Sequence, residues 1–569
     1  MTELPPPWPI LLIALPLVTA LVAFAAPRLA RCCGLATMAG VPALLVLLTL
    51  WLGEHQQMTY PLGGWPAELG IGLAADGLAL WLLWLTAAVN LVVGLYSPGY
   101  FTPPATVSTH RVHHGVSGHG ASHLAAIDPP EHDLSRAPDP SPQDPGQTLV
   151  YFYPLWLLLW AALNGLLLSA DLFNIYVGLE LLGLAAVGLV TLSGTGAARR
   201  AALRYLLLNI FGSLCFLLGV VLIYRQTGSL NLALFAELTS PDPLIRLALA
   251  LITLGMIIKS ALFPLHFWLP PAHASAPAPV SALLSALVVK ASLYLLIRIW
   301  LPLWQYSELE LYATFQLLGG LGAAAVFWGS IQALRTNILK ELIAYSTVAQ
   351  MGYLFLAFPL LTGPNPRAAV YGLLFFLAAH ALAKTALFLA AGTAQQHIIP
   401  APLPAAGKCP SKGGAGGKGQ TAAASGSLLI SDLRGLSQKM PLTAITMALA
   451  AVILMGLPPS GGFVGKWYLL VASLAAGQWW WAVVILGGGL LSMSYLLRPV
   501  AATFSRPPRH ELTARITGPT AILPAPLFLQ WPALVLALAG ILLGIFPWLT
   551  LDTLGGGLPA GWEQPGGRP

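Results

Sequence analysis

Apolar runs of roughly 20 residues, each able to cross a ~30 Å hydrocarbon core as a helix, recur along this chain from about residue 8 to about residue 550. Inside lipid every backbone amide must find its partner within the protein, so repeated runs of this kind imply a bundle of spanning helices. The composition agrees: 57% of the residues are hydrophobic and 8% charged, against roughly 25% charged in a soluble domain. A soluble fold is excluded, and the fold class is an all-α polytopic membrane protein. About fourteen spans are expected, near 8–27, 35–52, 76–96, 149–169, 171–193, 201–224, 244–268, 273–300, 310–333, 340–361, 368–396, 441–470, 478–502 and 527–550. The segment Met1 to Pro9 lacks a basic start and a cleavage pattern, so the first run is expected to be a retained helix.

Charge placement predicts orientation. Of the 27 Lys and Arg residues, eighteen, Lys340 among them, fall in loops after odd-numbered spans and five on the opposite side. By the positive-inside rule the odd-numbered loops are cytoplasmic and both termini outside, in a bacterial inner membrane. The net charge of +7 follows from this bias and needs no nucleic-acid partner. Cys32, Cys33, Cys215 and Cys409 have no ligand spacing, so neither a metal site nor an iron–sulfur cofactor is expected. Two polar stretches stand apart: 101–148, with His110, His113, His114, His119, His123 and His132, and a Gly/Ala/Lys-rich linker at 400–427. The histidine spacing fits no metal template, and a flexible insertion is expected.

Five charged residues remain in the middle of spans: Glu180, Lys259, Lys290, Lys384 and Lys466. Each costs about 2.5–3.5 kcal/mol at the bilayer centre on insertion scales. Glu180 could tie one lysine to a neighbouring helix, but one acid cannot serve four lysines. A buried lysine with a carboxylate that approaches or retreats is a switchable proton site. Lysines in successive spans, bridged by water and histidine, form a lateral proton relay. His266, His273 and His380 lie in or beside the same spans, and His380 and Lys384 share a helix face. Helix breaks are expected at Pro264, with Pro270 and Pro271 beyond it, and at Pro458 and Pro459 within Gly456–Gly462.

The motifs carrying these residues resemble those of the antiporter-like subunits of respiratory complex I and Mrp cation/proton antiporters. Asp171-Leu-Phe-Asn-Ile-Tyr-Val-Gly-Leu-Glu180 resembles the family's fifth helix. Lys259-Ser-Ala-Leu-Phe-Pro-Leu-His-Phe-Trp-Leu-Pro-Pro-Ala-His273 resembles its broken seventh, and Lys290 falls at the lysine of the eighth. Lys340-Glu-Leu-Ile-Ala-Tyr-Ser-Thr-Val-Ala-Gln-Met-Gly-Tyr353, His380-Ala-Leu-Ala-Lys384 and Gly456-Leu-Pro-Pro-Ser-Gly-Gly-Phe-Val-Gly-Lys466 complete the series. The resemblance covers about residues 70–505, in order.

It implies two inverted five-helix repeats, spans 4–8 and 9–13, each with one broken helix. The chain then divides into helices 1–3 (1–100), the His/Pro-rich loop (101–148), a first repeat (149–301), a second repeat (309–503) and a C-terminal helix and tail (504–569). Glu180 and Lys259 would form a gating ion pair. Lys290 would connect the halves with His273 near it, and Lys384, His380 and Lys466 would carry the proton onward. No redox cofactor is implied, and the partners are other membrane subunits, protons and Na+. Leu62-Gly-Gly-Trp-Pro, and Leu163-Asn-Gly-Leu-Leu-Leu-Ser-Ala-Asp171, most resemble the D-type subunits of Mrp antiporters. The expected function is proton translocation within a multi-subunit Na+/H+ antiporter, a transporter component rather than an enzyme. The alternatives are a non-redox proton-pumping subunit of an NADH:quinone or hydrogenase-type oxidoreductase, and a membrane subunit of an inorganic-carbon uptake complex.

Overall fold

The computed structural model describes residues 6–64, 71–102, 145–234, 242–306, 312–399, 427–506 and 521–548. Apart from a few end residues, the segments 101–148 and 400–427 lie outside the described residues, as does the tail after 548. Twelve helices among the described residues are long and apolar enough to cross a membrane. In chain order the structure holds α1 (Trp8–Ala25), α2 (Ala30–His55), α3 (Gly77–Phe101), α4 (Pro145–Leu168), α5 (Leu172–Thr191) and α6 (Gly196–Thr227). Then come α7 (Pro243–Lys259), α8 (Leu269–Ser275), α9 (Ala278–Leu283), a π-helical turn (Leu284–Val288) and α10 (Val289–Tyr306). They are followed by α11 (Tyr312–Arg335), α12 (Leu339–Phe355), α13 (Ala357–Leu361) and α14 (Pro366–His397). The last are α15 (Leu436–Lys439), α16 (Pro441–Met455), α17 (Gly461–Ala475), α18 (Trp479–Phe504) and α19 (Leu527–Ile545). Two short antiparallel ribbons pair Met58–Pro61 with Gly72–Ala75, and Ile398–Ile399 with Ala521–Ile522.

The spans expected at 244–268 and 441–470 are each two shorter helices. The first stops at Lys259, with Pro264 in the gap before Leu269; the second stops at Met455, with Pro458 and Pro459 in the gap before Gly461. Proline lacks the amide a helix interior needs, which is why both breaks sit at prolines.

Burial is graded from rim to centre. Along α1 and α2 only 28% of the spanning stretch is buried, and Leu21, Phe24 and Leu50 face outward. In contrast, an 18-residue stretch within Ala278–Trp300, and another within α14, is wholly buried. Lys290, His380 and Lys384 therefore belong to the two helical stretches most remote from lipid. Without water to drive helices together, close backbone packing must hold such a bundle. Gly212 faces Gly255 where α6 meets α7, and Gly322 faces Gly352 where α11 meets α12.

At one end of the bundle Asp76 performs two tasks. Its Oδ1 accepts the Ala79 amide at 2.9 Å, capping α3, and the carboxylate takes both guanidinium nitrogens of Arg298 at 2.5 and 2.6 Å. Arg298 Nε donates to the Tyr294 hydroxyl at 2.7 Å, which donates to the Leu167 carbonyl at 2.8 Å. One acid thus binds α3, α4 and α10 together. Asp76→Ala removes a cap and strands a half-buried arginine, a combined cost of about 2–3 kcal/mol. The expected result is a lower thermal midpoint for the detergent-purified protein, with Asp76→Asn losing less because it keeps the cap.

Candidate functional site: a buried chain of amines

Lys259 is the last residue of α7. Beyond it Ser260 Oγ donates to the Met256 carbonyl at 2.8 Å, and Trp268 Nε1 to the Ile258 carbonyl at 3.0 Å. Trp268 also stacks on Tyr205 of α6, ring centroids 4.3 Å apart. The break is therefore fastened to its neighbours, and Lys259 is held facing α6. Its Nζ, 6% exposed with the rest of the residue, donates to Asn209 Oδ1 at 2.7 Å.

Glu180 of α5 acts on Lys259 through space, yet the two form no ion pair. Asp76–Arg298 is the one ion pair among the described residues, and the Glu180 Oε1 atom is buried without a partner. The direct Glu180–Lys259 pair implied by the resemblance is thus replaced here by an Asn209 contact. A cavity of about 10 Å³ lined by Gly183, Tyr205, Asn209, Lys259 and Ser292 has room for about one water.

Lys290 sits at the start of the helix that follows the π turn. The Ser285 carbonyl, within that turn, accepts Lys290 Nζ at 2.7 Å. A second cavity, of about 20 Å³, is lined by Lys290, Tyr294, Thr86 and apolar neighbours. Ser285 Oγ shares a hydrogen bond of 2.9 Å with Thr347 Oγ1 of α12. On the adjacent face of α12, the Ile343 carbonyl accepts Lys384 Nζ at 2.8 Å, and Ser346 Oγ accepts it as well. Lys384 and Lys290 act on one another through space, and both act on His380.

His273 completes this group. It is fully buried, stacks on Phe388 at 4.9 Å, and neither ring nitrogen has a partner; the same holds for both nitrogens of His380. Lys290, Lys340 and Lys384 all act on His273 through space. His266 lies apart, stacked on Phe263. Lys340 corrects the charge reading: the sequence sorts it with the basic loop residues, but it is 7% exposed and donates to the Ala276 carbonyl at 2.5 Å.

Lys466 stands at the far end. Its Nζ donates to the Met455 carbonyl at 2.9 Å and the Leu454 carbonyl at 3.4 Å, and lies 4.5 Å from the Tyr353 ring centre. Gln350 connects this station to Lys384, because its Nε2 donates to the Leu454 carbonyl at 3.2 Å from the helix that holds Ser346. Ser346, Gln350 and Tyr353 recur at helical spacing on one face of α12. That spacing was the available signal for them, and Asn209 had none beyond being an amide in an apolar helix. The geometry places amines beside carbonyls, hydroxyls, imidazoles and water-sized cavities. Amines and imidazoles are groups that take up and release protons.

Residues 169–492 match the family described as "NADH:quinone oxidoreductase/Mrp antiporter, TM". The chain is 34% identical to the N-type subunit of the NADH-quinone oxidoreductase of Desulforudis audaxviator, over 95% of each chain. It is 27% identical to the D-type subunit of the Na+/H+ antiporter of Alkalihalophilus pseudofirmus, over 76% of this chain and 73% of that one. A chain of the Mrp complex from a Dietzia species shares its fold, with a TM-score of 0.76 at 23% identity, covering 97% of this chain and 96% of that one. The matched region contains Glu180, Lys259, Lys290, Lys384, Lys466 and both helix breaks, and the chain is a multi-pass, antiporter-like membrane subunit belonging to the NADH:quinone oxidoreductase/Mrp antiporter family.

Proposed function

We propose that this chain translocates protons within a multi-subunit monovalent cation/H+ antiporter, with Na+ as the exchanged cation. The observation that carries the reading is the run of buried amines, Lys259, Lys290, Lys384 and Lys466, none of them ion-paired and each held by a neutral oxygen. A lysine so held can give up its proton without stranding a counter-charge. Glu180 modulates Lys259 at the entry, His273 and His380 lie between the central lysines, and Lys466 is the outlet. Two five-helix repeats, 149–301 and 309–503, would each contribute one half-path around its broken helix. Both termini would lie outside, as the basic residues indicate.

The second reading is a proton-pumping membrane-arm subunit of an NADH:quinone-type oxidoreductase, favoured by the full-length similarity to the N-type subunit. Partners separate the two: small antiporter subunits co-purifying with the chain support the first, iron–sulfur subunits the second. Lys259→Ala should bring proton-coupled transport in everted vesicles to near background while the complex still assembles. Near-normal transport would exclude Lys259 from the path.

A further inference from the structure

The two broken helices end differently. At the end of α7 the Met256 and Ile257 carbonyls are taken by the Ser260 and Leu262 amides, and the Ile258 carbonyl by the Ala261 amide and the Trp268 indole. Of the last four carbonyls of α7, only that of Lys259 receives no backbone amide. At the end of α16 the Val452 and Ile453 carbonyls are taken by the Gly456 and Leu457 amides, but no backbone amide reaches Leu454 or Met455. Those two carbonyls face the Lys466 ammonium instead, with Gln350 Nε2 also on Leu454. The lysine chain lies across Gly456, whose φ of +77° and missing Cβ leave the passage open: a Cβ there would stand 2.7 Å from Lys466 Cδ.

Everything else at this spot also suits a cation. The Tyr353 and Phe376 ring centres lie 4.5 and 5.7 Å from Nζ, an arrangement that attracts positive charge whatever its source. The negative end of the α16 dipole points at it. Gln350 is fully buried and its Oε1 has no partner, although its amide group already sits at the Leu454 carbonyl. A buried amide oxygen left unpaired is costly unless something else comes to it. The side chains facing Lys466 are Tyr353, Phe376 and Gln350, with Tyr495 and Ser492 beyond Gln350. None of these carries a formal charge at neutral pH.

We propose that the Leu454 and Met455 carbonyls, with Gln350 Oε1, form a binding site for a free monovalent metal cation, which the Lys466 ammonium occupies in this structure and from which the two exclude each other. Unwound helix ends are where membrane transporters coordinate such ions. Two positive charges cannot share two carbonyls a few ångströms apart. Departure of the lysine as a neutral amine would thus exchange one proton for one cation at one place. This deepens the antiport reading and rests on it only for that use, since the site itself is a matter of binding.

The test is binding, in the complex purified through a tag on this chain. In Lys466→Met, whose unbranched side chain fills the same passage, replacing choline chloride by NaCl, KCl or RbCl at equal ionic strength should raise the thermal midpoint saturably, by several degrees. Wild type should respond much less, and Gln350→Leu added to Lys466→Met should remove the response. A density map of Lys466→Met in RbCl should show the ion between the two carbonyls. A midpoint indifferent to all three salts, or a map with only water there, overturns the site. Neither result alters the Lys259 transport test, so the two proposals fail separately. If Lys466→Met does not accumulate, Lys466→Ala is read by the same two measurements.

Discussion

Lys384→Arg is expected to reduce proton-coupled transport to near background, as severely as Lys384→Ala, while the complex assembles at wild-type levels. Arginine keeps the charge and can reach the Ile343 carbonyl and Ser346, so a role as a fixed positive tie would survive the exchange. It cannot release its proton in the physiological range, so a role as a carrier would not. Lys384 is the informative position because it is fully buried and stands between Lys290 and the helix leading to Lys466. Dye quenching in everted vesicles, normalised to the assembled complex, reads the outcome. Substantial transport by the arginine variant would mean that protons pass Lys384 without boarding it.

The second large effect is structural. Gly352→Val should prevent accumulation of the folded protein, whereas Gly320→Val, on α11, should be nearly silent. A Cβ at Gly352 would collide with the Gly322 carbonyl and stand 2.8 Å from the Val326 amide nitrogen, both parts of the α11 backbone. Overpacking costs about 1–3 kcal/mol when side chains can adjust and more when only backbone can move. A Cβ at Gly320 meets nothing within 4 Å. Immunoblotting of membranes and size-exclusion profiles distinguish the two variants. Equal profiles would show that α11 and α12 can separate at little cost.

The spans were legible because each is a long apolar run, and the breaks because proline cannot continue a helix. The boundaries were less so: the seventh span was expected to reach 268, but Ser260 and Trp268 cap it at Lys259. Lys259, Lys290, Lys384 and Lys466 stood out since a charge in lipid demands an explanation. Asn209 and Gln350 did not, because an uncharged amide costs too little to attract attention until its partner is known. Lys340 escapes the sequence for a related reason. It lies at the second residue of α12, where a sequence shows only the end of an apolar run. Whether that end faces water or the Ala276 carbonyl depends on how α8 and α12 are packed. The same dependence on helix rotation applies to Glu180: the resemblance implies a pair with Lys259, whose ammonium donates to Asn209 in the structure.

Helix α12 is placed as a camshaft would be. Its Ile343 carbonyl and Ser346 hydroxyl grip one ammonium, and Gln350, about one turn on, shares the carbonyl that grips another. In the proton path proposed above, a small roll about its axis would loosen or tighten both at once, and loading either station would then change the other's affinity by the same factor. Close glycine contacts with α11 hold the two backbones together. Timing between two such stations would then need no messenger other than one rigid rod.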